Sequence, residues 1–485
     1  MRISFPLRIY IIALILRLIP VLLTRGLGIG LDDMFQYDML ARSLASGNGF
    51  RWYAQEDLKL LEPYVDFDLS TAKGYDPQYG VYTSFRAPLY PFFLSLVYTF
   101  SGLGFSRFFA ARLVQVILLG APLAPLTYFT SQKFFQLSTQ DPYGENEITY
   151  ENASRISAWI VACYPILLVY PIGLGTENLF FVLLLASFLF LLRSLHDPSR
   201  LNLFLCGLLF SLTALTRSVI LPFAGLAILY LFYLHGRKVL LAALCCYLVV
   251  TVWGVRNSLL HGRLTGLETS LGYNLYLGYY PQGNGSFIFG PSLDLLTIMD
   301  DYERNVVGRQ KALEFILASP ERFIPLAINR LGFFFGLEKR VLMYFYSNNL
   351  LGYIPPPILW TVSAVLLLPF VFLSTLAALG LVSLKRTPAT ILLGSLFLAY
   401  ILPHVFILAE DRFHLALIPY FAILAAYAVS LIKEHRLIKT TGGLIFIGAG
   451  LILLLVLGWG SELIRDADKI ITLLGPNGNV SYFPY

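Results

Sequence analysis

Long apolar segments recur along almost the whole chain, and they restrict its possible folds more than any other feature. Segments of about 17–25 apolar residues can cross a bilayer as helices that rise about 1.5 Å per residue. Of the 485 residues, 57% are hydrophobic and only 13% are charged, whereas about 25% of the residues of a soluble domain carry a charge. The sequence therefore predicts an all-α fold, a polytopic helical membrane protein with about 11 to 12 transmembrane helices and two large exoplasmic loops.

The candidate spans are residues 5–24, 110–129, 156–170, 178–192, 202–215, 219–234, 239–255, 358–384, 390–408, 415–432 and 444–459. Residues 88–103 are borderline in length, rich in aromatic side chains and open on a proline. This segment either crosses the membrane or lies at its interface.

Lysine and arginine residues in the short loops predict the orientation of the chain. They occur in "SLHDPSR", "HGRK", "SLKRTP" and "IKEHRLIK", and alternation of the spans places these loops together on the cytoplasmic face. The loop at 131–155 joins them only if 88–103 does not cross, which favours the interfacial position. The predicted order is a first transmembrane helix (1–24), a first exoplasmic loop with juxtamembrane helices (25–87), a transmembrane bundle (88–255), a large exoplasmic loop (256–355), a C-terminal transmembrane bundle (356–460) and an exoplasmic tail (461–485).

The large exoplasmic loop has two parts of different character. Its first part, "LGYNLYLGYYPQGNGSF", is rich in glycine, tyrosine and asparagine, which predicts irregular structure. The second part, "DDYERNVVGRQKALEFILASPERFIPLAINRL", has the periodicity of an amphipathic helix broken at Pro320. The net charge of +6 comes from basic residues scattered through short loops rather than clustered. The sequence thus predicts a lipid bilayer as partner and no nucleic acid.

The segment "IGLDDMFQYDMLARSLASGNGF" leaves the first span with two adjacent carboxylates, Asp32 and Asp33. Asp33 can cap a helix that runs from about Met34 to Ala45 and ends at Gly47 and Gly49. The two acids would then be only cap and surface residues. Alternatively, crowding and partial burial raise the pKa of one carboxyl toward the range of a general base. The residues alone leave both interpretations open.

Further charged residues are predicted at the same membrane level. Glu177 begins one span, Arg217 ends another, Arg86 precedes the 88–103 segment, Arg256 leaves a span, and Arg412 and His414 lie in "EDRFHLALIPY". Snorkelling explains any one of these arginines. It explains less well why so many lie on the exoplasmic face, where the positive-inside rule does not favour basic residues. Because the arginine fork suits phosphate, the pattern indicates a substrate with a lipid tail and an anionic head.

Six segments, in order along the chain, resemble the GT-C superfamily of integral-membrane glycosyltransferases. The similarity is greatest to the branch with protein O-mannosyltransferases and the lipid A aminoarabinose transferase. The segments are "DDMFQYDMLARSLASGNGF", "RAPLYPFFLSLVYTFSG", "TENLFFVLLLASFLFLL", "GLLFSLTALTRSVILPF", "RNSLLHGRLTGLETSLGYNLYLGYYPQGNG" and "EDRFHLALIPY". None is specific alone; their order and their shared predicted face carry the resemblance.

The resemblance implies roles for individual residues. Asp33, four residues before Tyr37, occupies the position of the family's essential first-loop aspartate, and Asp32 is the weaker candidate. Met34 stands where relatives often have glutamate, so the chain departs from the family pattern at the position next to Asp33. The implied catalytic residues are Asp33, Asp32 and Glu177, the donor-phosphate ligands are Arg86, Arg217, Arg256 and Arg412, and the substrate-pocket residues are Tyr37, His414 and Asn274.

The implied reaction is inverting transfer of a sugar from a polyprenyl-phosphate donor to an acceptor hydroxyl on the exoplasmic, or periplasmic, side of a multi-pass plasma (inner) membrane. Asp33 would be the general base, and the lipid tail would lie near the 89–100 helix. The acceptor can be a lipid, a glycan or a protein. No cofactor is certain, and a divalent metal is left open. The alternatives are a transporter or flippase of lipid-linked glycans, for which inverted repeats and mid-bilayer polar groups would be expected, and a glycan polymerase or ligase of another membrane fold.

Overall fold

The computed structural model describes residues 3–481 except 68, 70, 71, 73, 139–146, 348, 350 and 434–441. Helices make up most of this part of the chain. They are α1 (Phe5–Leu23), α2 (Asp33–Ala45), α3 (Gln55–Leu61), α4 (Leu89–Ser101), α5 (Ser106–Gln115), α6 (Leu123–Ser138), α7 (Glu147–Cys163), α8 (Pro165–Val169), α9 (Thr176–His196), α10 (Arg200–Thr216), α11 (Leu221–His235), α12 (Leu240–His261), α13 (Leu271–Tyr279), α14 (Phe289–Asp294), α15 (Asp301–Ala318), α16 (Phe323–Phe334), α17 (Arg340–Ser347), α18 (Pro356–Val382), α19 (Pro388–Phe406), α20 (Ile418–Lys433), α21 (Gly442–Arg465) and α22 (Ala467–Leu474). Two short strands, β1 (Arg51–Trp52) and β2 (Val81–Tyr82), pair antiparallel.

Eight helical segments of the described residues are long and apolar enough to cross a membrane. They are Phe5–Leu23, Ser106–Ser138, Thr176–His196, Ser218–His261, Pro356–Val382, Pro388–Phe406, Asp411–Lys433 and Phe446–Arg465. A ninth candidate is the pair of segments Tyr150–Cys163, within α7, and Pro165–Ile172, which includes α8; the two are bent by 54°. The fold is therefore an all-α, polytopic membrane architecture, as predicted. The count of 11 to 12 stays a prediction, because it counts α10 as a span and divides the Ser218–His261 segment in two.

Helix α4 has 13 residues and is therefore about 20 Å long. A bilayer core is about 30 Å thick, so α4 is too short to cross alone. This length is consistent with the interfacial position expected for 88–103.

The start of α2 differs from the prediction by one residue. The helix begins at Asp33, and Asp32 is the cap, because its carboxylate accepts a hydrogen bond of 2.9 Å from the backbone N–H of Met34. The expectation that Asp33 caps the helix was therefore wrong. A capping side chain belongs to the residue just before the first helical one, so Asp33 is free to turn toward other partners. Gly47 and Gly49 follow the helix with positive φ angles, as expected for its exit.

The hairpin of β1 and β2 brings the chain back to the start of α2. Its closest approach is at Gly80, whose φ is +77° and where a Cβ would lie 2.0 Å from the carbonyl oxygen of Trp52. Only glycine is compatible with both restrictions. The segment that follows β2 includes Arg86 and therefore lies next to Asp33.

In the large loop, residues 271–279 form α13, so the prediction of irregular structure was wrong there. Glycine favours helix packing at this place rather than a turn. A Cβ on Gly272 would lie 2.0 Å from the carbonyl oxygen of Asn305, and one on Gly308 would lie 2.5 Å from that of Gly272. The two glycines therefore allow α13 and α15 to pack backbone to backbone. The predicted break at Pro320 is confirmed, because α15 ends at Ala318 and α16 begins at Phe323.

Candidate active site

The carboxylate of Asp33 lies between two arginines from distant parts of the sequence. Arg86 Nη2 pairs with Oδ1 of Asp33, and Arg412 Nη2 lies 3.1 Å from Oδ2. The side chain of Asp33 is 34% exposed, so the paired carboxylate remains accessible. The first loop and the Asp411–Leu417 turn before α20 therefore meet at this residue.

The two guanidiniums dominate the electrostatics of this carboxyl. Burial alone would raise the pKa of Asp33, but the charges of Arg86 and Arg412 outweigh it and hold the pKa well below its ordinary value. The pKa of Asp32 is raised instead, first by burial and then by the negative charge of Asp33. The pKa values of these two adjacent aspartates are thus shifted in opposite directions, and Asp33 is ionised at neutral pH.

The ion pairs continue beyond Asp33. Nη1 of Arg412 lies 3.6 Å from Oε1 of Glu177, and Nη1 of Arg217 lies 3.1 Å from the same oxygen. Nε of Arg412 lies 2.8 Å from Oε2 of Glu410, and Nη1 of Arg340 lies 2.5 Å from that oxygen. Arg412 is therefore the centre of an alternating network of carboxylates and guanidiniums.

Each member of this network stands at the end of a helix or at a turn. Glu177 is in the first turn of α9, Arg217 follows the end of α10, and Arg340 is the first residue of α17. Thr176–His196 and Asp411–Lys433 are the two most buried of the eight candidate spans. Because their first residues include Glu177 and Arg412, the centre of the helix bundle ends directly under the charged network.

The position of Arg86 is fixed by the segment before it. Oδ2 of Asp301, at the start of α15, accepts hydrogen bonds from the Thr83 hydroxyl at 2.5 Å and from the Ser84 backbone N–H at 2.8 Å. Arg304 pairs with the other carboxylate oxygen at 3.2 Å. The large loop therefore holds the first loop in place just before Arg86.

Side chains of α2 complete the surroundings of Arg86. Its Nε donates to Oε1 of Gln36 at 2.8 Å, and its guanidinium carbon lies 5.3 Å from the centre of the Tyr37 ring. At this distance a cation–π attraction adds to the ion pair. Burial raises the pKa of Tyr37 to about 12, so its hydroxyl stays protonated and can donate a hydrogen bond.

The structure thus brings together Asp33, Arg86, Glu177, Arg217, Arg412 and Tyr37, which the sequence had singled out. Sequence reasoning missed Glu410, Arg340 and Gln36. Glu410 lies in the quoted "EDRFHLALIPY" segment, and its position next to Asp411 and Arg412 was the available signal. Nothing local in the sequence places Arg340 here.

Besides Asp32, which caps α2, three predicted site residues lie outside the network. Arg256 donates to the Thr83 carbonyl at 2.6 Å, and its guanidinium carbon lies 4.8 Å from the centre of the Trp253 ring. His414 is buried and faces Glu338 at 3.0 Å. Asn274, on α13, is half-buried, and no hydrogen bond of its side chain occurs among the described residues. Their roles in binding stay predictions.

An apolar cavity of about 480 Å³ lies beside the network. Its lining residues, most of them hydrophobic or aromatic, are Leu44, Gly49, Phe50, Tyr82, Pro88, Leu89, Phe92, Trp253 and Arg256. Pro88 and Leu89 follow Arg86 by two and three residues, so the cavity adjoins the charged network through α4. Among the residues that the structure describes, no group of three or more His, Cys, Asp or Glu side chains could hold a metal ion.

In comparisons with known proteins, no family model and no curated protein matches the chain. Among solved structures it is similar to ArnT from Cupriavidus metallidurans. The structure with bound undecaprenyl phosphate shows a TM-score of 0.35 at 11% identity over 97% of this chain and 81% of ArnT. The apo structure shows 0.34 at 12% over 97% and 80%.

Proposed function

We propose that this chain is a membrane glycosyltransferase that moves a sugar from a polyprenyl-phosphate donor to an acceptor hydroxyl. The observation that carries the proposal is the accessible Asp33 carboxylate between Arg86 and Arg412, where the central apolar helices end. A base and a phosphate-binding group are thereby within reach of one sugar phosphate. The resemblance of six segments to the GT-C superfamily agrees with this reaction.

Asp33 is proposed as the general base. The acceptor oxygen attacks the anomeric carbon, the bond from that carbon to the phosphate oxygen breaks, and the hydroxyl proton passes to Asp33. Attack opposite to the leaving phosphate inverts the anomeric centre. In the ligand-free arrangement Asp33 is a weak base, because its two arginines lower its pKa. A donor phosphate competes for the same N–H groups, and its arrival would raise the pKa of Asp33.

The arginines are proposed to neutralise the departing lipid phosphate. The leaving group gains negative charge as the glycosidic bond breaks, so guanidiniums already in place lower the barrier. Arg86 and Arg412 contact Asp33 directly, and Arg217 extends the positive surface across Glu177. Glu177 is proposed to stabilise the oxocarbenium-like sugar in the transition state.

The apolar cavity along α4 is proposed to hold the beginning of the polyprenyl chain. Its wall includes Phe92 from the exposed face of α4 and Pro88, which follows Arg86 by two residues. A lipid phosphate bound by Arg86 would place its first isoprene units against this wall, where burial of each CH₂ contributes about 0.8 kcal/mol. Arg256, at the edge of the cavity, is then a second cation near the lipid.

We infer from the positive-inside pattern that the site lies on the exoplasmic face of a multi-pass plasma membrane. The predicted division at residues 24, 87, 255, 355 and 460 assumes that orientation. A transporter of lipid-linked glycans would require charged groups near mid-bilayer. Here Glu177, Arg217 and Arg412 of the charged network lie at helix ends.

The test is a comparison of cell-surface glycans and lipids, by mass spectrometry, between a deletion strain and its parent. We expect one glycan or lipid to lose a sugar in the deletion strain, and its unmodified form to accumulate with the unused polyprenyl-phosphate sugar. The wild-type gene should restore it. If the deletion changes no glycosylated species, the proposal fails.

A further inference from the structure

A buried group of polar side chains includes His414, two residues after Arg412 in the Asp411–Leu417 turn. The carboxylate oxygen Oε1 of Glu338 accepts a hydrogen bond from the Tyr164 hydroxyl at 2.7 Å and lies 3.0 Å from Nε2 of His414. The side chain of Glu338 is 3% exposed and that of His414 is fully buried. The proposed reaction uses neither residue, so a buried acid and a buried histidine require another explanation.

The protonation of this pair follows from its hydrogen bonds. Nδ1 of His414 lies 2.7 Å from the carbonyl oxygen of Phe334, which can only accept, so Nδ1 carries a proton. The contact between Nε2 and Glu338 then needs one more proton, on either the imidazole or the carboxyl. In both cases the pair is neutral as a whole, which lowers the cost of its burial.

Two contacts tie the same pair of segments together. Glu338 contacts His414, and two residues later Arg340 contacts Glu410. The segments 338–340 and 410–414 are thus linked at both ends in antiparallel order. Arg412 lies midway between the two contacts.

The local geometry explains how a residue behind the site can orient one within it. Asp411–Leu417 forms a 3₁₀ turn, in which successive side chains are about 120° apart. Arg412 and His414 therefore point in different directions from one short segment. The ring of His414 is also stacked on Phe370, with ring centres 4.0 Å apart, so this side of the turn cannot rotate freely.

We infer that Glu338 and His414 are positioning residues that hold Arg412 toward Asp33 and the donor phosphate. The inference rests on the proposed function for its consequence but not for its geometry. Loss of either partner frees the Asp411–Leu417 turn at its inner contact, so Arg412 would spend less time against Asp33 and Glu410.

The direct test measures the position of Arg412 without any substrate. The full-length protein in nanodiscs is treated with phenylglyoxal, which modifies accessible guanidiniums, and the modification of Arg412 and Arg86 is followed by peptide mass spectrometry. We expect Glu338→Ala and His414→Ala to increase the rate at Arg412 at least fivefold relative to Arg86. Glu338→Gln should stay within twofold of wild type, because its amide nitrogen can donate to both neighbours. Equal increases at both arginines, or none at Arg412, would overturn the inference.

A matched control is Glu151→Gln. Glu151 also accepts a hydrogen bond from a tyrosine hydroxyl, that of Tyr128 at 2.9 Å, but it lies near the start of α7. This variant should leave the rate at Arg412 unchanged. A change there would show that reactivity reports general loosening of the bundle and would count against a specific contact.

A second experiment connects the geometry to binding, with a polyprenyl monophosphate as the probe. We expect Glu338→Ala to raise its Kd about tenfold in the wild-type background and less than twofold in Arg412→Ala, because the residue acts through Arg412. Equal effects in both backgrounds contradict positioning. If wild-type protein does not bind the probe while the phenylglyoxal result holds, the donor assignment fails and the positioning role stands.

Discussion

Helix α2 carries two aspartates that both bind two arginines, yet their surroundings differ. Asp33 pairs with Arg86 and Arg412 and is 34% exposed. Asp38 pairs with Arg42 and Arg107 and is 1% exposed. Two aspartates that lie five residues apart on one helix therefore each pair with two arginines, but only Asp33 is accessible to solvent.

Each carboxylate oxygen of Asp38 already accepts two hydrogen bonds. Its Oδ1 accepts from the Tyr98 hydroxyl at 2.9 Å and from Nε of Arg107 at 2.8 Å, and its Oδ2 accepts from Nη2 of Arg107 at 2.9 Å and from Nε of Arg42 at 2.8 Å. All four donors lie within 69 residues of Asp38. This network fastens α2 to α4 and α5 and is structural.

The partners of Asp33 come from 53 and 379 residues away, and one of them pairs onward to Glu177 and Glu410. An incoming anion can replace one carboxylate partner of Arg412 in such a network, because the remaining partners still pair with the guanidinium. The comparison suggests that exposure and onward pairing, rather than the number of arginines, distinguish a carboxylate available for chemistry from one that holds the fold.

The largest expected effect is that of Asp33→Asn on turnover. Removal of a general base costs about 10²–10⁴ in rate, so the variant should restore almost none of the missing glycan in the deletion strain. Its unfolding midpoint in detergent should fall only by what the partly solvated ion pairs of Asp33 contribute at neutral pH, which is no more than the fall expected for Arg86→Ala. Normal glycan levels from well-folded Asp33→Asn would remove Asp33 from the reaction.

Asp38→Ala should show the opposite pattern. It would leave four donors, three of them on arginines, without their buried acceptor, and loss of one partner of a buried ion pair typically costs about 3–5 kcal/mol. We expect a clear drop in the unfolding midpoint, measured by the change in tryptophan fluorescence on heating. The protein that remains folded should retain turnover per molecule. A variant of full stability that is inactive would reverse the roles of the two aspartates.

The membrane architecture was predictable because an apolar segment that is long enough to cross a bilayer predicts a transmembrane helix without any information about its neighbours. The gathering of Asp33, Arg86, Glu177, Arg217 and Arg412 was also predictable, since each ends or precedes a span on one predicted face. The bend between α7 and α8 and the π-turn Val116–Gly120 between α5 and α6 were not predicted. Such breaks depend on packing against neighbours.

Other failures have a similar origin. Residues 271–279 contain turn-forming glycines, and only the contact with α15 makes them a helix. Arg340 lies near the end of the large loop and contacts Glu410. No local sequence pattern predicts that the chain returns to the network at this residue. His414 is two residues from Arg412 but points elsewhere, because side-chain direction on a 3₁₀ turn depends on where the helix starts.

A smaller effect concerns pH. The pKa of Asp33 in the folded protein lies well below the ordinary value of 3.8, so its ion pairs add stability that is complete above about pH 4 and is lost as the pH falls further. Arg86→Ala removes much of this shift. We expect the difference in unfolding midpoint between wild type and Arg86→Ala to be constant from pH 7 to 5 and to shrink below about pH 4.

The control for this experiment is Arg51→Ala. Arg51 stacks on the Tyr82 ring, with its guanidinium carbon 3.9 Å from the ring centre, and this contact does not depend on a carboxyl proton. Its effect on the midpoint should be independent of pH between 7 and 3. A difference for Arg86→Ala that is equally flat would mean that its contact with Asp33 contributes nothing to stability.

The smallest effect is expected at Asp32, which adjoins Asp33 and whose carboxylate caps the start of α2. Asparagine caps a helix about as well as aspartate, whereas alanine loses roughly 1 kcal/mol. Asp32→Asn should therefore keep both the unfolding midpoint and the restored glycan within about threefold of wild type, and Asp32→Ala should lower only the midpoint. If Asp32→Asn instead abolished the product as completely as Asp33→Asn, the more weakly paired acid, whose pKa is raised, would be the proton acceptor. The arginine-paired Asp33 would then orient the site, and it would not be the base.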